Sequence, residues 1–210
     1  MKGAIFDLDG VLVDTAIYHY AAWKELANKL GFDFTETDNE RLKGVSRMKS
    51  LEILLSVGNI TADDEQKEKW AKEKNERYVK LLDNLSEKSL LSGAKDYLTK
   101  LRKDGVLIAL GSASKNAPLI LKRTGIADMF DAVVDGNSVS KAKPDPEIFL
   151  KGAELLGLEP KDCTVFEDSQ AGIEAARAGG FSVVAVDKYN VLKNADKYIL
   201  SLSDMLKSEA

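Results

Sequence analysis

Ala4-Ile5-Phe6-Asp7-Leu8-Asp9-Gly10-Val11-Leu12-Val13-Asp14-Thr15 is the stretch on which the reading of this chain turns. An apolar run without alternation ends in two carboxylates one residue apart, followed by a glycine. Runs of this kind suit strands buried on both faces, as in a parallel sheet. The same form recurs at Val106 to Leu110, Ala132 to Val134, Thr164 to Phe166 and Ser182 to Val186, with Tyr198 to Leu200 as an edge strand. Helical patterns lie between these runs. Apolar residues recur three and four apart over Ala94 to Asp104, and Gly105 stops that helix. Leu119 to Thr124 stops at Gly125, Pro146 to Leu156 at Gly157, and Ala171 to Ala178 at Gly179. Strand and helix in alternation predict a doubly wound α/β domain.

In open α/β sheets, ligands bind beyond the carboxyl ends of the strands. Asp7 and Asp9 follow the first run, and Gly111-Ser112-Ala113-Ser114-Lys115-Asn116 follows the second. Lys141-Ala142-Lys143-Pro144 comes after the third and its loop, and Glu167-Asp168-Ser169 after the fourth. The predicted fold thus brings four acids, hydroxyls and a lysine to one edge. Such carboxylates repel one another unless a cation joins them or some are protonated. Oxygen ligands without Cys or His favour Mg²⁺. With that ion and Lys143 present, a phosphate can enter. One carboxylate of the Asp-x-Asp pair can attack phosphorus while the other handles the proton. Ser112 can donate to a phosphoryl oxygen, and Lys143 can stabilise charge in the transition state.

The stretch from about Thr15 to Leu90 has a different texture, with no buried strand. It reads as helices over Ala16 to Leu30 and Arg47 to Val57, then a long one capped by Thr61 and reaching about Leu82. The expected organisation is a core of residues 1–14 and 91–210 with an all-helical insertion at 15–90.

The whole chain has 210 residues, a formal net charge of −4, 44% hydrophobic and 30% charged residues. That is an ordinary globular balance, and it argues against a nucleic-acid grip, which needs clustered positive charge. The lone cysteine, Cys163, excludes an intramolecular disulfide framework and fits a reducing compartment. No apolar run nears the roughly 20 residues of a membrane span, and the N-terminal residues turn acidic too early for a signal peptide. The expectation is a cytoplasmic protein with no membrane or nucleic-acid partner.

Asp7-Leu8-Asp9-Gly10-Val11-Leu12-Val13-Asp14-Thr15, the strand end at Ser112, Lys143-Pro144 and Glu167-Asp168 together resemble the four motifs of the haloacid-dehalogenase-like superfamily. The resemblance spans nearly the whole chain in the family order. It implies a Rossmann-like core with a helical cap, Mg²⁺, and an aspartyl-phosphate on Asp7. Asp9 would be the general acid and base and also give its backbone carbonyl to the metal, with Glu167 and Asp168 completing that site. Three cap features resemble the β-phosphoglucomutase branch: Thr15 to Lys24 with His19 and Trp23 four apart, Lys43-Gly44-Val45-Ser46-Arg47 opening a helix, and Glu73-Lys74-Asn75. In the core, Ser112 to Asn116 shares that likeness.

A phosphoglucomutase handles a sugar with two phosphates, β-glucose 1,6-bisphosphate, as intermediate and activator. Arg47, beside Ser46 and the Gly44-Val45 backbone, could hold the remote phosphate from the cap. Ser114, Lys115 and Asn116 could add donors from the core. His19 would couple sugar binding to the placement of Asp9, and Trp23 and Lys74 would line the sugar pocket. A sugar-phosphate phosphatase with the same chemistry is the alternative, since similar caps occur there. The expected partners are small sugar phosphates, and the expected state is a monomer.

Overall fold

The computed structural model describes residues 1–42 and 44–207, so Lys43 of the cap loop lies outside the described residues. Six strands form one parallel sheet: β1 (Gly3–Phe6), β2 (Leu107–Gly111), β3 (Ala132–Val134), β4 (Cys163–Glu167), β5 (Ser182–Val186) and β6 (Lys197–Ile199). Their spatial order is β3-β2-β1-β4-β5-β6. β2, β1, β4 and β5 supply the interior of the sheet, β3 forms one edge against β2, and β6 closes the other against β5, the edge position the sequence predicts for it. The order reverses direction at β1, which lies between β2 and β4. A crevice opens there beyond the strand ends, and ligands of open α/β sheets bind in it.

The helices are α1 (Ala16–Lys29), α2 (Glu36–Glu40), α3 (Arg47–Val57), α4 (Asp64–Leu81), α5 (Ala94–Lys103), α6 (Ala117–Thr124), α7 (Glu147–Leu156) and α8 (Gln170–Ala178). Side chains alternate faces along a strand, so neighbouring residues of β1 enter different cores. Phe6 stacks on Phe166 at 4.5 Å between centroids, with Tyr97 of α5 edge-on at 5.6 Å from Phe166. Ile5 faces the other way, into a core with Phe149 of α7 and Ile173 of α8. Both faces of the sheet are thereby covered.

A third core stands apart from the sheet. Trp23, Leu26 and Ala27 of α1 meet Phe34, then Leu51, Leu54 and Leu55 of α3 and Ala71 of α4. The two segments joining this helical unit to the sheet run side by side. Leu91 donates its N–H to Leu12 O at 2.9 Å, and Asp14 donates to Ser89 O at 3.2 Å.

Two features differ from the sequence reading. The N-cap of α4 is Asp63, not Thr61, because the Asp63 carboxylate accepts the Gln66 N–H at 2.8 Å, the position a cap must satisfy. The short helix α2 was not anticipated. Its Thr35–Asp38 capping box holds it, with the Asp38 N–H donating to Thr35 Oγ1 at 3.2 Å, and it has no buried residue to create an apolar period.

Candidate active site

Register sets the site. Phe6 pairs with Leu110 on one side and Phe166 on the other. The next residues, Asp7, Gly111 and Glu167, therefore leave the sheet side by side. The Asp7 N–H donates to Phe166 O at 2.9 Å, which extends the ladder to the Asp7 carboxylate. Beyond Asp7 the chain turns at Gly10, whose φ of +82° is left-handed. A Cβ at Gly10 would collide with the Asp168 carboxylate. Asp168 thus lies against the Gly10 turn and lines the same cavity as Asp7.

Lys143 comes in from the loop before α7. Its Nζ donates to Asp7 Oδ1 at 2.6 Å and Glu167 Oε1 at 2.5 Å, and stands 4.7 Å from the centroid of the Phe149 ring. Burial would strip this ammonium of its proton, but the two carboxylates outweigh that and hold its pKa above the lysine range. Burial has the opposite consequence for Asp7. It pushes the carboxyl up to about 7 against the pull of Lys143, and the charges of Glu167 and Asp9 push the same way. Asp9 is also raised, first by burial, and its Oδ1 accepts from Thr15 Oγ1 at the start of α1.

A cavity of about 1600 Å³ opens above these groups, between the sheet edge and the helical unit. Asp7, Asp9, Lys143 and Asp168 reach it from below, and Ser114, Lys115 and Asn116 from beside β2. Gly44, Val45, Ser46 and Arg47 enter from the loop before α3, with His19 and Trp23 of α1 and Lys74 of α4. Ser112 and Glu167 do not line it. Both are fully buried behind the wall. Ser112 Oγ accepts the Ser114 N–H at 3.2 Å, and Ser114 Oγ accepts the Asn116 N–H at 3.3 Å.

The upper wall is cationic. Lys74 Nζ stands 3.0 Å from His19 Nδ1, 4.4 Å from the Trp23 ring centroid and 4.7 Å from that of Tyr78. An ammonium only donates, so a charged Lys74 makes His19 Nδ1 the acceptor. Burial, then the charges of Lys74 and Arg47, hold the imidazole well below its usual pKa. Burial and Arg47 likewise pull Lys74 well below the lysine range. Upper and lower walls meet where Asn116 Nδ2 donates to Asn75 Oδ1 at 2.9 Å. The Gly44 Cα comes so near the start of α8 that a Cβ there would lie 2.5 Å from Ser169 Oγ.

The model of the haloacid dehalogenase-like hydrolases matches residues 1–180. The chain belongs to that family. A β-phosphoglucomutase of Bacillus subtilis (strain 168) is 41% identical over 207 residues, covering 98% of this chain and 92% of its own. A phosphorylated carbohydrates phosphatase of Thermotoga maritima is 33% identical over 180 residues, covering 86% and 82%. A crystal structure of β-phosphoglucomutase from Clostridium difficile superposes with a TM-score of 0.93 at 41% identity, covering 98% of this chain and 93% of that one.

Membership in the haloacid dehalogenase-like family implies a divalent metal, and the residues present fit one. Burial and like charge leave Asp7 near half-protonated at neutral pH, a strain that a cation relieves. The Asp168 carboxylate fills the space a Cβ on Gly10 would occupy. Asp7, Asp168 and the Asp9 main-chain carbonyl would offer hard oxygen ligands to such an ion. Among the described residues, no three His, Cys, Asp or Glu side chains are grouped closely enough to hold an ion alone. Glu167 differs from the sequence expectation. Its Oε1 takes Lys143, and its Oε2 accepts the Ser169 N–H at 2.8 Å and Ser169 Oγ at 2.9 Å. In this arrangement its work is to seat the lysine.

Three side chains of this haloacid dehalogenase-like site have no role assigned from sequence, although Thr15 and Asn75 fall within the quoted motifs. Thr15 holds Asp9. Tyr78 stacks on His19 at 4.0 Å between centroids, with its hydroxyl buried and lacking a well-formed hydrogen bond. Asn75 makes the bridge to Asn116. Tyr78 reads in sequence as one more apolar position of α4. Asn75 follows Lys74 directly and was visible as a neighbour.

Proposed function

We propose that this protein is a Mg²⁺-dependent β-phosphoglucomutase, interconverting β-glucose 1-phosphate and glucose 6-phosphate through β-glucose 1,6-bisphosphate. The observation that carries the reading is the pairing of two phosphate-ready walls in one cavity. The acid pair and Lys143 lie below, and Arg47, Lys74 and His19 lie above. Hydrolysis of one phosphate needs the lower wall, whereas a bisphosphate needs both.

Residues 1–14 and 91–210 act as the core and 15–90 as the cap, with the paired segments near Asp14 and Leu90 as its hinge. Asp7 carries the phosphoryl group as an aspartyl-phosphate. Asp9 takes the proton from the C6 hydroxyl of β-glucose 1-phosphate as that oxygen attacks phosphorus, and the bond to Asp7 breaks. The bisphosphate then turns end for end. Asp7 attacks the C1 phosphate, and Asp9 returns its proton to the departing oxygen. The raised pKa of Asp9 suits a group that must hold this proton near neutrality. Lys143 balances charge on the transferring group, with Ser112 fixing the turn that presents Ser114, Lys115 and Asn116. Mg²⁺, held by Asp7, Asp168 and the Asp9 carbonyl, would supply further neutralisation. Gly44 to Arg47 receive the remote phosphate, and a closed cap keeps water from Asp7.

The small acidic chain, with no helix among the described residues long and apolar enough to cross a membrane, is taken to work as a cytoplasmic monomer. The test adds β-glucose 1-phosphate, Mg²⁺ and catalytic bisphosphate. Stoichiometric glucose 6-phosphate supports the mutase. Free glucose with inorganic phosphate, and no glucose 6-phosphate, makes the protein a sugar-phosphate phosphatase instead.

A further inference from the structure

Lys143 owes its seat to a loop that has little apolar anchorage of its own. Ser140, Lys141, Ala142 and Lys143 form one wall of the cavity, yet Ser140 and Lys141 are exposed. A loop on the surface needs some other tie to hold an ammonium within 2.6 Å of its nucleophile. The carboxylate of Glu147 supplies much of that tie. Glu147, the first residue of α7, turns back and accepts the Lys141 N–H on Oε2 at 2.7 Å. The Ser140 N–H is shared between its two oxygens at 3.1 Å each, and Ser140 Oγ donates to Oε2 at 2.9 Å.

The groups around Glu147 reinforce the tie. Lys151, one turn along α7, meets Oε1 at 2.8 Å and donates to Ser138 O at 2.7 Å. Asp145 Oδ1 accepts the Glu147 N–H at 3.0 Å, and its Oδ2 pairs with Lys141 at 3.4 Å. The Asp145 N–H donates to Ala142 O at 3.0 Å, closing the turn on the far side of Lys143. Residues 138 to 147 are therefore a bracket with Lys143 near its middle. These hydrogen bonds, led by Lys151, hold the Glu147 carboxyl down to about 2, so the acceptor is ionised at neutral pH.

We propose that Glu147 is a positioning residue for phosphoryl transfer, fixing the Ser140–Lys141 backbone so that Lys143 stays at Asp7. The inference rests on the phosphoryl-transfer reading of Asp7 and Lys143 and on nothing about the sugar. An interaction made in the transition state lowers kcat when lost and leaves KM nearly unchanged. Small misplacements of a charge-stabilising group cost one to two orders of magnitude.

The test is Glu147→Gln, which keeps size and shape but puts an amide donor against two backbone N–H groups. Turnover is measured with acetyl phosphate and with β-glucose 1-phosphate, and is normalised to the folded fraction from circular dichroism. Glu154→Gln, farther along the same helix, is the control. The expected result is a kcat about tenfold lower for both phosphoryl donors, KM within about twofold, and an unaltered control. If Glu147→Gln does not fold, Glu147→Asp, a methylene too short to reach Lys141, is expected to show the same split more mildly. A folded variant with kcat within about twofold of the parent, or a rise in KM matching the fall in kcat, overturns the proposal. Acetyl phosphate keeps the two readings apart. If the parent makes no glucose 6-phosphate, the mutase reading fails, and the acetyl phosphate arm still decides the role of Glu147.

Discussion

Lys74 is a buried lysine with no ion pair among the described residues. It is 4% exposed, and among the described residues its polar contact is His19 Nδ1 and its other neighbours are two aromatic faces. Taking an ammonium out of water costs several kcal/mol after relaxation. Two aromatic faces return about 2 kcal/mol each at best; Arg47 works against the charge, and Asp9 favours it to a smaller extent. Lys74→Met fills the same slot with a thioether that also favours aromatic neighbours. The net expectation is a gain of about 1–2 kcal/mol. For a chain of this size that is a rise in Tm of roughly 2–8 °C at about pH 7.

The sign of the pH dependence follows from the lowered pKa of Lys74. Unfolded, the lysine keeps its proton up to its ordinary range; folded, it releases it earlier. Between the two values the unfolded state binds more protons, so stability of the parent protein rises with pH. The Tm advantage of Lys74→Met should therefore shrink between about pH 7 and pH 10. Activity should move the other way. Losing one charged contact to a bound phosphate is worth about 1.5–3 kcal/mol, or roughly 10- to 150-fold in kcat/KM for the sugar phosphate. Thermal melts at the two pH values, with steady-state kinetics, check both arms. A lower Tm for the variant at neutral pH, with a difference that does not change with pH, would refute the view that Lys74 is kept for function at a cost in stability.

Three further outcomes follow from the same geometry. Asp7→Asn removes the nucleophile and should reduce turnover below detection in a discontinuous product assay; substantial residual activity would refute covalent catalysis. Arg47→Ala should raise KM for the sugar phosphate about tenfold or more while leaving acetyl phosphate hydrolysis within about twofold, and equal losses for both would remove Arg47 from the remote site. Below about pH 7 the Asp7 carboxyl holds a proton that a metal must displace, so Mg²⁺ affinity should fall by up to about tenfold per pH unit on acidification. Calorimetric titration in buffers of different ionisation heat reads both the affinity and the proton released.

The acids at the sheet edge were legible because each follows an apolar run, and parallel register brings such ends together. Asp7 and Glu167 leave adjacent strands at the same level, as that logic requires. The logic cannot say what each carboxylate touches. Glu167 belongs to the same acidic cluster in sequence, but its oxygens are taken by Lys143 and Ser169. The cap was harder to read. Helix period marks Tyr78 as core, and it is buried, yet its ring also supports His19 and Lys74. The grip of Glu147 on Ser140 and Lys141 depends on a turn closing back over seven residues, and no pattern of residue types encodes that. Net charge was the least informative quantity. At −4 for the whole chain it speaks against an anionic ligand, while the cavity sets Lys143 against the acids below and Arg47 and Lys74 above.

The central claim is that the phosphoryl group on Asp7 passes to a sugar and not to water. It is tested most directly by charging the protein with radiolabelled acetyl phosphate, removing the excess, and chasing with β-glucose 1-phosphate in Mg²⁺. The account predicts label first in β-glucose 1,6-bisphosphate and then in glucose 6-phosphate, with little in inorganic phosphate. Label appearing in inorganic phosphate at a rate independent of the sugar phosphate would contradict it.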